Sequence, residues 1–284
     1  DMYLKGVELD EKLKATGDIK TACDGDVVLI MTPAQHVRET LEKIKSELEG
    51  GKPFIICSKG LEKKTGFMMS EVAEEVIPGG NVGILTGPTF ASEVGRGLPC
   101  AVTIAVKSKE VGEQVVEALG SNRMRTYLTD DLIGAQIGGA IKNVIAIACG
   151  VIEGRKMGES ARCALITRGL TEIGRLAKAM GAKKETLMGM CGVGDLMLTA
   201  SSMQSRNFSL GFSLGQGQTL EEILGDRIAV TEGVHTAKAL KVMASNNAVD
   251  MPISMAVYEF LHEDVGIDEA INKVLKRPLR RESI

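Results

Sequence analysis

At 284 residues, 44% hydrophobic and 25% charged, the chain has the composition of an ordinary soluble globular protein, one large or two ordinary domains long. A formal net charge of −3, no tryptophan and 3% aromatic residues exclude the basic, aromatic-studded surface that nucleic acid requires. Six scattered cysteines without a C-x-x-C pair, and three distant histidines (His36, His235, His262), give no metal-ligand spacing, so reduced thiols and no metal are expected.

The first twenty residues are polar and charged, and no signal peptide is expected there. VVLIMT at 27–32 ends at Pro33 and reads as a strand, after which Val37, Leu41, Ile44 and Leu48 keep helical spacing over 34–48. FIIC at 54–57, VGILT at 82–86, CAVTIAV at 100–106 and MRTYLT at 124–129 are further strand candidates, with helical stretches near 68–76 and 109–119 between them. Short β-branched runs alternating with helices predict βαβ units, hence an α/β fold whose parallel sheet is covered on both faces. From Asp130 the β signal stops. Helices are predicted at 131–153, 160–180, 184–190, 194–203, 206–214, 219–224, 233–246, 252–263 and 267–275. The chain is therefore expected to divide near 129–131 into a sheet-bearing domain (1–129) and an all-helical one (130–284).

A dinucleotide-binding domain opens with a strand, G-x-G-x-x-G and a helix, with an acidic ribose ligand about 20 residues later. No such element precedes Asp26, and Gly192-Val193-Gly194 and Gly215-Gln216-Gly217 have no strand before them. The sheet domain thus reads as N-terminally incomplete.

Between Leu132 and Ile152 the only charged side chain is Lys142, with Gln136 and Asn143 as polar company. The stretch is long enough to cross a bilayer, but a central lysine costs about 2.5–3.5 kcal/mol on insertion. A helix packed on nearly every side is the better reading, and it forces Lys142 to find a partner or shed its proton. Such a lysine is a candidate general acid/base, or one whose stem is buried while its head reaches the helix edge.

Four polar clusters stand out besides. Lys59, in CSKGLE at 57–62, would project from a strand end, where open α/β sheets bind ligands; a solvated loop charge is the bland reading. Thr86-Gly87-Pro88-Thr89 closes another strand, and Thr89 could cap the following helix. Asp195, after Gly192 and Gly194, is either an N-cap or a partner for Lys142. Ser205, Arg206 and Asn207 at a helix start combine a hydroxyl, a guanidinium fork and amide donors, which suits a phosphate monoester.

Taken in order, SKGLE at 58–62, GPTFASEV at 87–94, GGAIKNVIAIACG at 138–150 and ARCALITRGLTEI at 161–173 resemble the bacterial-type NAD(P)-dependent glycerol-3-phosphate dehydrogenases. GVGDLMLT at 192–199, QSRN at 204–207, VTEG at 230–233 and MPI at 251–253 extend the resemblance over about Asp26 to Lys276. It implies a Rossmann-type sheet domain followed by a helical substrate-binding domain. The implied reaction is reversible hydride transfer between NAD(P)H and dihydroxyacetone phosphate, giving sn-glycerol 3-phosphate for glycerophospholipid synthesis. By the same resemblance Lys142 is the general acid/base, Asp195 orients it, and Lys59 polarises the substrate. Gly87, Thr89, Asn143 and Thr199 join these three around the substrate, while Ser205, Arg206 and Asn207 hold its phosphate. Pro33, Lys59, Ala91, Arg206, Val230 and Glu232 are implied to touch NAD or NADP. A cytoplasmic homodimer without integral membrane contact is also implied. Against the family pattern, roughly 50 residues carrying the first strand and its glycine-rich turn are missing before Asp1, and that strand normally lies centrally in the sheet. Two other readings stay open: a related hydroxyacid or sugar-phosphate dehydrogenase, and a non-catalytic fragment dimerising through the small residues Gly138, Gly139 and Ala140.

Overall fold

The computed structural model describes residues 4, 6–48, 50–225 and 231–278. The β-branched runs pair into one five-stranded sheet in sequence order, β1 (Val28–Ile30), β2 (Phe54–Ile56), β3 (Val82–Thr86), β4 (Cys100–Val106) and β5 (Met124–Thr129). β1–β2, β2–β3 and β4–β5 are parallel, with Val28 opposite Phe54 and Phe54 opposite Val82. β3 and β4 are antiparallel, which corrects the all-parallel expectation. Parallel neighbours need a long crossover, usually a substantial helix, and only a five-residue helix lies between these two strands. β1 is an edge strand, and its Leu29 remains 37% exposed.

The helices in the sheet half are α1 (Ile19–Ala22), α2 (Val37–Ile44), α3 (Met69–Val76), α4 (Ala91–Gly95) and α5 (Lys109–Leu119). α2 continues at both ends as short 3-10 turns, so the expected helix over 34–48 is present but not uniform. Val37, Leu41, Met69 and Val72 bury the apolar faces of α2 and α3 in one core with Ile30, Phe54, Ile56 and Ile84. α5 contributes Val115 to a second core with Ile55 and Ile104.

The helical half comprises α6 (Leu132–Gly154), α7 (Glu159–Ala179), α8 (Lys184–Leu187), α9 (Asp195–Thr199), α10 (Arg206–Gly215), α11 (Leu220–Gly225), α12 (Glu232–Asn246), α13 (Pro252–His262) and α14 (Ile267–Leu275). Asp131 caps α6 by accepting from Gly134 N at 2.8 Å, and its other oxygen takes Lys183 N at 2.8 Å. α6 has the length and apolarity of a membrane span, yet its whole apolar window is buried inside the fold. Burying Ile137, Ile141, Ile145 and Ile147 favours the fold by about 1.5–3 kcal/mol each.

Glycines bring α10 into backbone contact with α6. A Cβ on Gly150 would lie 2.0 Å from Phe208 O, and one on Gly211 would lie 2.0 Å from Ile147 O. A Cβ on Gly138 would lie 2.5 Å from Cys191 O, and one on Gly139 would meet Thr86. The small residues Gly138, Gly139 and Ala140 are therefore buried against their own chain, which removes them as a dimer surface.

Candidate active site

Lys142 sits at the middle of α6 and is 5% exposed. Because the helix has no polar face, the ammonium can only be satisfied by groups brought to it from elsewhere. Asp195 is the first of these. A five-residue π turn, Met190–Gly194, precedes α9, and Gly194 takes the N-cap position. Asp195 is therefore not the cap; its buried carboxylate turns to Lys142, whose Nζ donates to Oδ1. Gly192 makes this turn possible, since a Cβ there would lie 1.9 Å from Leu187 O.

Thr199, one helical turn beyond Asp195, accepts a second bond from Lys142 Nζ at 2.8 Å. Lys59 reaches the site from the end of β2 and donates to the other Asp195 oxygen at 2.8 Å and to Gly87 O at 2.8 Å. One carboxylate thus bridges two lysines. Each ammonium has three N–H donors, and partners among the described residues take two from each, which leaves one on Lys142 and one on Lys59 for a ligand. Loss of water around Lys142, reinforced by the Lys59 charge and opposed by Asp195, lowers its pKa from 10.5 to about 7. Both protonation states are then populated near neutrality.

The floor of the site is a chain of amides. Asn143, next to Lys142, donates to Lys59 O at 3.3 Å, and Asn207 donates to Asn143 Oδ1 at 3.0 Å. Asn207 Oδ1 in turn accepts from Gly233 N at 2.9 Å. Ser205 is the N-cap of α10, with Oγ accepting from Phe208 N at 3.2 Å, and Arg206 is the first residue of that helix. The close crossing of α10 on α6 is what brings this positive helix end against Asn143, the neighbour of Lys142.

Glu232, at the start of α12, accepts from Ala34 N at 3.2 Å through Oε1. Its Oε2 is buried without a partner among the described residues, and burial raises its pKa. Gly60 leaves the room, since a Cβ there would lie 3.0 Å from Oε2 and 2.9 Å from Ala34 Cβ. Pro33 lies exposed between β1 and this contact, and Ala91 is the exposed first residue of α4. Thr89 is half-buried and does not cap α4, which starts at Ala91 behind Phe90 without a side-chain cap. Val230 lies outside the described residues. Gly60, Ser58 and Thr86 also lie here, after β2 and at the end of β3, although small and hydroxyl side chains at those positions carry no chemical signal in the sequence.

Residues 1–112 match the N-terminal model of the NAD-dependent glycerol-3-phosphate dehydrogenases, and 131–272 match the C-terminal model. A glycerol-3-phosphate dehydrogenase [NAD(P)+] from Parvibaculum lavamentivorans is 47% identical over 282 residues, 99% of this chain and 85% of that protein. The Rhodospirillum rubrum enzyme of the same name is 51% identical over 281 residues, 99% of this chain and 80% of its own length. The crystal structure of glycerol-3-phosphate dehydrogenase from Coxiella burnetii superposes with a TM-score of 0.92 at 35% identity, covering 97% of this chain and 85% of that one.

Proposed function

This chain belongs to the NAD-dependent glycerol-3-phosphate dehydrogenase family, and from that premise we infer that it interconverts dihydroxyacetone phosphate and sn-glycerol 3-phosphate with Lys142 as the proton carrier. It is an NAD(P)-dependent oxidoreductase. The observation that carries the assignment of roles is the buried Lys142–Asp195–Lys59 bridge, one N–H of each lysine left for substrate.

The residues present fit the nicotinamide end of NAD or NADP: a carboxamide NH₂ is the donor that Glu232 Oε2 lacks. When bound, the reduced nicotinamide supplies the hydride to C2 of the ketone. Lys142 then gives its proton to the C2 oxygen and is left as the neutral amine; in the reverse direction that amine takes the hydroxyl proton. Asp195 and Thr199 fix the ammonium, and Lys59 holds the far side of Asp195 while offering its remaining N–H to the substrate oxygens. Arg206, the Ser205 hydroxyl proton and the first amides of α10 receive the phosphate. Asn207 steadies that helix end through Asn143 and Gly233. Gly87 and Thr89 border the substrate on the sheet side; Pro33, Ala91 and Val230 belong with the cofactor.

In this reading residues 1–129 form the dinucleotide-binding part and 130–284 the substrate-binding part of a cytoplasmic homodimer serving glycerophospholipid synthesis; the resemblance supports it.

The test is NADH oxidation with dihydroxyacetone phosphate, against unphosphorylated dihydroxyacetone and 2-keto acids. Turnover restricted to the phosphate ester is expected, and turnover of the acids alone would overturn the assignment. Arg206→Ala should raise KM for the phosphate ester roughly 10–100-fold, the scale of one charge-assisted hydrogen bond, with kcat much less affected. An unchanged KM contradicts the clamp.

A further inference from the structure

Ser58 and Thr86 stand at the ends of the neighbouring strands β2 and β3, and each buries a hydroxyl oxygen with no partner among the described residues. Thr86 is 1% exposed. The two residues line one small pocket of about 10 Å³, together with Lys59, Met69, Ile84, Gln136 and Gly139. One water molecule needs about that much room and two to four polar partners. The Gln136 amide is already engaged, donating to Ser70 Oγ and Leu132 O and accepting from Ser70 N. Of the polar side chains that line it, Ser58 and Thr86 are the ones whose oxygens have no partner among the described residues.

We propose that this cavity is the site of one structural water bridging Ser58 Oγ and Thr86 Oγ1, which makes both residues positioning residues for Lys59. The residues that follow them in sequence are the ones that pair above the cavity, Lys59 Nζ donating to Gly87 O at 2.8 Å. Water below and lysine above thus tie the same two strand ends together. α6 seals the arrangement. A Cβ on Gly139 would lie 2.8 Å from Thr86 Oγ1 and 3.8 Å from Lys59 Cγ, one helical turn before Lys142. A valine in place of Thr86 would fill the same volume without an orphaned hydroxyl. Apolar packing alone therefore does not account for the threonine. The catalytic consequence rests on the role given to Lys59 above; the water site itself does not.

A high-resolution crystal structure of the chain tests the site directly. Density for a water within about 2.6–3.2 Å of both oxygens is the expected result. An empty cavity, or both hydroxyls turned onto main-chain carbonyls, overturns the proposal whether or not the protein is a dehydrogenase. The consequence is read from Thr86→Val and Thr86→Ser. Thr86→Val should lose the water and cut kcat/KM roughly tenfold, below the 10²-fold of a 1 Å misplacement, with a displaced pH profile. Thr86→Ser should restore both. Wild-type kcat/KM and pH profile in Thr86→Val would refute the positioning role, because a purely packing residue has no reason to move the profile.

Discussion

Lys142→Met is expected to lower turnover in either direction by at least ~10²–10⁴-fold, the usual loss when a positioned proton carrier is removed. Methionine keeps the unbranched stem that α6 buries and discards only the charge. Asp195 is not left unpaired in this variant, since Lys59 still donates to it at 2.8 Å. Circular dichroism and thermal unfolding should therefore stay close to wild type while kcat collapses. KM for dihydroxyacetone phosphate should change far less, because Arg206 and the start of α10 are untouched. Turnover within a few-fold of wild type would remove Lys142 from the reaction.

Asp195→Asn should injure both fold and catalysis. The carboxylate is 1% exposed and is shared by two lysines, so the amide leaves both without their counter-charge. Breaking a buried ion pair from one side typically costs about 3–5 kcal/mol, and a clear drop in the unfolding midpoint is the expected reading. Lys142 can escape part of this cost by shedding its proton. In the wild type its folded pKa of about 7 lies below the ordinary 10.5, so between these values the unfolded chain binds the extra proton. Stability from this group therefore rises with pH across that window and is lowest below it. Without Asp195 the folded value falls further, and reduction at neutral pH loses its proton source. An Asp195→Asn protein with wild-type stability and reductive activity would contradict the bridge.

Much of this was legible in the sequence where local pattern and local structure coincide. β3, β4 and β5 occupy the predicted runs, because β-branched residues bounded by Gly, Pro and Ser have little alternative. α6 was legible because a lone lysine in an apolar helix demands burial with a partner. Strand direction was not legible: β3 and β4 each read as a buried strand, and periodicity carries no information on their antiparallel pairing. Nor could the sequence choose between Asp195 as cap and Asp195 as partner, since that depends on the π turn before it. Thr89 misled for a related reason, the helix beginning one residue later than its capping pattern suggests, with Phe90 in the cap position. The Asn143–Asn207–Gly233 chain joins positions far apart in sequence and exists only because Gly150 and Gly211 let two backbones touch.

The most direct measurement is the pH dependence of kcat/KM for dihydroxyacetone phosphate reduction and for glycerol 3-phosphate oxidation, with saturating cofactor. Reduction needs the Lys142 ammonium and should fall as pH rises through about 7; oxidation needs the neutral amine and should climb through the same region. Opposite limbs that meet near 7 would establish Lys142 as the group that carries the proton. Profiles flat through neutrality in both directions would contradict it.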